Sequence, residues 1–132
     1  MRKEILDRNP DLDIAVLAVW VPVLGTDDAA SAQRNVAILD DPHVRQFYDP
    51  DARTGRWFRD NVIAGDAHLS GRPLYARGIT WDTFLLYGPD TAWTDAPAPA
   101  LASGATIVRE FAILTAAVER LPRGARQAAQ GK

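Results

Sequence analysis

The sequence contains no cysteine. Disulfides, thiolate metal sites and cysteine nucleophiles are therefore excluded from the chemistry of this chain. The absence says nothing about compartment, because a chain without thiols is indifferent to redox conditions. Long hydrophobic runs are missing as well. The longest, Ile14 to Leu24, is about half of the ~20 residues a spanning helix needs, and Pro22 interrupts it. No membrane span is expected. Met1-Arg2-Lys3 is basic, but Glu4, Asp7 and Arg8 stand where a signal peptide would be apolar, so the chain as written is expected in the cytoplasm. Nor is there a charge of one sign: 15 basic and 17 acidic residues leave a net charge of -2. With no Lys- or Arg-rich face, nucleic acid is not an expected partner. Histidine is scarce. His43 and His68 have no partner at metal-ligand spacing, and no glycine-framed serine marks a hydrolase nucleophile. Neither a metal site nor a cofactor is expected.

What is present reads as one α/β domain. Apolar residues make up 47% and charged residues 24% of 132 residues, enough for a single core. The domain is expected over residues 1–122, with 123–132, rich in Gly, Gln and Ala, as a disordered tail. Arg2 to Arg8 reads as the last turns of a helix stopped by Asn9-Pro10. Ile14 to Leu24 is continuous and β-branched, the pattern of a strand buried on both faces. Thr26, Asp27 and Asp28 cap a helix with Ala29, Ala32, Val36 and Leu39 at helical spacing. Asp40-Asp41-Pro42 ends it. Val44 to Tyr48 is a short strand, and Asp49-Pro50 starts a helix carrying Trp57, Phe58 and Val62. Gly65 to Gly78 reads as a long loop. Trp81 to Tyr87 is a second central strand, with Thr91 to Thr94 returning as a hairpin. Ala96 to Ala100 is an extended connector. Ser103 then caps a last helix with Ile107, Phe111, Leu114, Val118 and Leu121 on one stripe, and Pro122 terminates it.

Few side chains stand out as chemistry. Gly25-Thr26-Asp27-Asp28 joins strand to helix where phosphate loops sit, but two carboxylates would repel a phosphate, and a capped helix start explains it. Asp40, Asp41, Asp49 and Asp51 flank two prolines and read as caps and turns. Asp82 is sharper: a carboxylate near the start of a buried strand needs a donor, from loop backbone, Arg72 or Arg77, or else it serves a function. Trp20, Trp81 and Trp93 lie on or near strands. Core packing is their default role, although Trp20 and Trp81 at strand ends would also suit a groove. No catalytic residue is assigned.

The stretches Ala18-Val19-Trp20-Val21-Pro22-Val23-Leu24, Asp41 to Asp49 and Trp81-Asp82-Thr83-Phe84-Leu85-Leu86-Tyr87-Gly88-Pro89, with the element order from Arg2 to Leu121, resemble bacterial thioredoxin-like proteins. The resemblance implies a thioredoxin-like mixed sheet flanked by helices, with Arg2–Arg8 as the tail of the cysteine-bearing helix and Trp81–Tyr87 in the hairpin. The first strand and the Cys-x-x-Cys segment would be missing, and no proline stands at Thr80–Trp81, where thioredoxins have a cis-proline. The chain is thus expected to be related to thiol-disulfide oxidoreductases yet unable to form the mixed disulfide of thiol exchange. A non-catalytic binding or scaffold module is the alternative. A third reading, a non-thiol enzyme, would need Asp82 to converge with His43 or His68. Without the first strand, Ile14–Leu24 and Trp81–Tyr87 would pair with each other or each expose an edge, to be filled by a homodimer or by a partner supplying a strand.

Overall fold

A computed structural model describes residues 2–70, 75–76 and 78–123 of the chain. The sequence's expectations for Arg72, Arg77 and most of the tail lie outside these residues. The architecture is mixed α/β. A short, wide-turned helix, Arg2–Leu6, opens it and buries Ile5 and Leu6. Asn9 closes this helix by donating its side-chain amide to the Ile5 carbonyl at 2.8 Å.

Strand β1, Val16–Trp20, runs parallel to β2, Val44–Tyr48, with Val16 opposite Val44 and Trp20 opposite Tyr48. Helix α1, Ala29–Asn35, and a 3-10 turn, Val36–Leu39, connect them. Asp28 rather than Thr26 caps α1. Its carboxylate accepts the Ser31 N–H at 2.7 Å while the Ser31 hydroxyl accepts the Asp28 N–H at 2.9 Å, a reciprocal capping box. Strand β1 is shorter than Ile14–Leu24. Beyond Pro22 the N–H groups of Val23 and Leu24 bond the Asp27 carboxylate at 3.0 and 2.6 Å, which folds the chain into a turn and takes those donors from any ladder.

Helix α2, Arg53–Asn61, starts later than the expected Asp49-Pro50. Ala52, in a left-handed conformation with φ 49°, stands at its N-cap without a side-chain cap, and the Asp49 carboxylate instead accepts the Thr54 N–H at 2.6 Å from five residues upstream. A small hairpin of β3, Tyr75–Ala76, inside the expected loop, and β4, Ile79–Thr80, just past its end, follows. Helix α2 lies hard against it. A Cβ on Gly55 would come within 2.5 Å of Ile79 Cγ2 and 2.9 Å of the Thr80 carbonyl oxygen, so only glycine permits this approach.

Strand β5, Thr83–Leu86, pairs antiparallel with β6, Ala102–Ala105, not with Thr91–Thr94. Trp93 makes only an isolated bridge to Pro97. Ser103 is therefore a strand residue, and the last helix, α3, begins at Phe111 and runs to Glu119. The local sequence Ala-Ser-Gly-Ala misleads because its small side chains suit close packing. The ring of Phe84 sits where a Gly104 Cβ would be, 2.3 Å from its Cε1. The helical stripe itself holds from Phe111 onward: Leu114 and Val118 are buried, with Phe111 and Leu121 packed beside them.

The expected single mixed sheet is not observed among the described residues. There are three two-stranded sheets, β1–β2, β3–β4 and β5–β6, and β1 and β5 belong to different ones. One hydrophobic cluster nonetheless joins the first and last. Ile5, Leu6, Leu12, Leu86, Leu114 and Val118 form it, with Val16, Val44, Phe84 and Ala102 packed against it. A smaller cluster of Ile63, Leu69 and Ala105 seals the other side of β6.

Candidate functional site

The surface of the β1–β2 pair departs most from what its sequence implies. Burial alternates along both strands instead of covering both faces. Val16, Ala18 and Trp20 turn inward. Leu17 is 66% exposed, Val19 39% and Phe47 52%. The register sets Val19 beside Phe47 and Leu17 beside Arg45, so three large apolar side chains and one cation share an open face. Parallel strands are ordinarily covered on both sides. This pair is covered on one.

The edge of β1 is open too. Val16 donates its N–H to the His43 carbonyl at 2.8 Å, and the Trp20 carbonyl accepts the Asp49 N–H at 2.9 Å. In a parallel ladder alternate residues turn their main-chain groups to the same neighbour. Val16, Ala18 and Trp20 thus serve β2, and the N–H and C=O groups of Leu17 and Val19 point to the far side. No strand lies there among the described residues.

Trp20 lies on the opposite, inward face of β1. Its indole N–H donates to Gln46 Oε1 at 3.1 Å, and Gln46 Nε2 donates to the carbonyls of Val36 and Leu39 at 2.9 and 3.3 Å. Gln46 thereby ties β1, β2 and the turn after α1 together. Trp20, Ala32, Val36, Gln46, Phe47 and Tyr48 line a shallow cavity of about 200 Å³. Trp81 and Trp93 are not core residues: both are exposed, and Trp93 instead stacks on Trp57 at 5.6 Å between ring centroids.

Asp82 is a positioning residue of the backbone. It adopts a left-handed conformation, φ 47°, which aspartate tolerates better than most side chains. Its carbonyl and its carboxylate both accept the Ile107 N–H, at 3.1 and 3.2 Å. The donor is loop backbone, one of the sources expected. His43 has another partner, Asp41, whose carboxylate lies 2.8 Å from His43 Nδ1. The hydrogen bond from the His43 N–H, more than any other influence, holds the Asp41 carboxyl below the usual carboxylate range. His68 Nε2 lies 3.1 Å from Glu110 Oε2. Asp82, His43 and His68 have three different partners, and the convergence a non-thiol enzyme would need is not observed.

A second polar group escaped the sequence reading. Asp66 Oδ1 accepts the N–H groups of His68 and Leu69 and the Ser103 hydroxyl, at 2.9, 2.8 and 2.9 Å. Glu110 Oε2, besides facing His68, accepts the Ala105 N–H at 2.8 Å. Two carboxylates thus staple the 66–70 segment to β6 and to the start of α3. The Tyr87 hydroxyl is buried without a hydrogen-bond partner among the described residues, and burial, reinforced by the Asp66 charge, pushes its pKa up. Ser103 spends its proton on Asp66, so the group reads as a structural clamp. No cluster of three or more potential metal ligands occurs among the described residues, and no helix there is long and apolar enough to cross a membrane. No protein-family model, curated protein or solved structure matches the chain.

Proposed function

We propose that this chain is a thioredoxin-like domain, related to thiol-disulfide oxidoreductases but without their chemistry, that works as a non-catalytic binding module. The open apolar face of Leu17, Val19 and Phe47 carries the binding reading, because contiguous exposed apolar surface beside an unpaired strand edge is what strand-adding and groove-binding partners use. The order of a parallel strand–helix–strand unit, an antiparallel pair and a closing helix supports the thioredoxin relationship, while the single mixed sheet it implies is not formed among the described residues. With no cysteine there is no thiolate to attack a disulfide, so the chain binds without exchanging electrons. In an insulin-reduction assay with dithiothreitol it is expected to give no turnover above background.

Peptide display against the full chain tests the binding reading, with the doubly substituted L17K/F47K protein as counter-selection. Peptides with alternating apolar residues should be enriched and should lose binding to the variant. If enriched peptides bind the variant equally well, the face is not the site.

A further inference from the structure

We infer that the far edge of β1 pairs antiparallel with β1 of a second copy of this chain, about a two-fold axis at Ala18. The inference rests on reading the β1–β2 surface as a binding face and names its occupant. Three observations lead to it.

The first is the direction of the main-chain groups. Leu17 and Val19 are the residues whose N–H and C=O point away from β2. A two-fold axis at Ala18 sets Leu17 opposite Val19 of the second copy, and Val19 opposite its Leu17. Those are the residues an antiparallel ladder needs in hydrogen-bonded pairs, and two such pairs satisfy all eight groups with four bonds.

The second is charge. No ionisable side chain occurs between Ile14 and Leu24, so a copy can lie alongside without bringing like charges together. Natural edges normally carry a charge, a proline or a bulge to prevent this pairing, and Val16–Trp20 has none of them. Arg45 lies one strand further out, beside Leu17, and does not meet its own counterpart. A strand from an unrelated protein would satisfy the same groups, but an uncharged and self-complementary edge is the arrangement a second copy fits without any further condition.

The third is the side chains. An axis perpendicular to the sheet keeps the open faces of both copies on one side. Leu17 and Val19 of each then become cross-strand neighbours, covering part of the apolar surface that each chain alone leaves to water. The product is a four-stranded sheet, β2–β1–β1–β2. Five-residue strands make a small interface, so association should be weak and concentration-dependent.

The absence of cysteine makes the test direct. In the A18C protein the only thiol sits on the axis, in a non-hydrogen-bonded pair with Cα atoms about 4.5 Å apart, within disulfide range. A V19C thiol would face its own copy from two residues out of register, beyond about 7 Å. A V108C thiol, on a residue 86% exposed, reports random collision. Under mild oxidation A18C is expected to form covalent dimer about tenfold faster than either control, and V19K added to A18C should abolish the difference. On the unsubstituted chain, hydrogen exchange at the Leu17 and Val19 amides should slow as protein concentration rises. Equal cross-linking in all three proteins together with concentration-independent exchange at Leu17 and Val19 would overturn the pairing. If peptides selected on the Leu17 and Phe47 face still bind, only the self-pairing falls. If L17K/F47K leaves peptide binding intact, the binding reading falls with it.

Discussion

The β5–β6 pair and the β1–β2 pair contribute to the same hydrophobic cluster, yet they are finished in opposite ways. Strand β6 is buried at Ser103, Gly104 and Ala105, covered by α3 on one side and sealed by Ile63 and Leu69 on the other. Asp66 and Glu110 then fasten a loop across it. Strand β1 has a neighbour along one edge and the core beneath it, and offers Leu17 and Val19 to solvent. A small-residue strand is enclosed while a β-branched one is left open. The difference teaches that burial follows what the rest of the chain supplies as cover, not how apolar a segment is. Closed packing reads as stability. An open apolar edge reads as a place for something else.

If that contrast is right, damage to the closed half should cost most. Gly104→Ala puts a Cβ 2.3 Å from the Phe84 ring, and the overpacking should cost roughly 3 kcal/mol in urea unfolding. Combining it with Phe84→Leu should recover part of that loss, since the two sites share one contact. If Gly104→Ala is neutral, β6 is not enclosed as described.

Asp66→Ala comes next. It leaves the buried Ser103 hydroxyl and two loop N–H groups without their acceptor and should cost about 2 kcal/mol. Asp66→Asn, which keeps an acceptor oxygen, should lose less. The same unfolding measurement decides, and equal losses would mean that the carboxylate is not acting through these bonds.

The open half should respond in the reverse sense. L17K/F47K replaces exposed apolar groups and should change stability by no more than about 0.5 kcal/mol while removing association and peptide binding. A large loss of stability would place the face inside the core instead.

The smallest effect concerns acid, and it lies in the β1–β2 half. Hydrogen bonds from the Ser31 N–H to Asp28, and from the His43 N–H to Asp41, hold both carboxyls below their ordinary pKa of 3.8. A carboxyl lowered in the folded state adds stability that is present above the ordinary value and lost as pH falls through the lowered one. Stability should therefore decline below about pH 4. D28N and D41N should each flatten that decline, measured by circular dichroism against pH. Acid limbs identical to that of the unsubstituted chain would remove these two groups from the account.

Much of the local structure was legible in the residues themselves. Asn9 stops the first helix, Val44–Tyr48 is β2 residue for residue, and Phe111, Leu114 and Val118 of the expected stripe form the packed side of α3. Each depends on interactions within a few residues, which a short window of sequence contains. Composition alone shows that this chain carries no thiol. Legibility failed where distant segments meet. The 102–105 segment reads as a helix start because its small side chains carry no strand signal, and only Phe84 lying across Gly104 makes it a strand. Ser103 and Asp66 are 37 residues apart and His68 and Glu110 are 42, so no spacing rule announces either pair.

What the sequence determined by itself is the inventory: a cysteine-free mixed α/β chain, the capped start of α1, and an uncharged strand between Ile14 and Leu24. The tertiary structure alone decided that this strand shares no sheet with β5, that its outward face stays uncovered, and that Trp20 rather than Trp81 lines a cavity. The physical reason is that an apolar pattern states what a segment gains by being buried, whereas exposure depends on whether another part of the fold arrives to cover it.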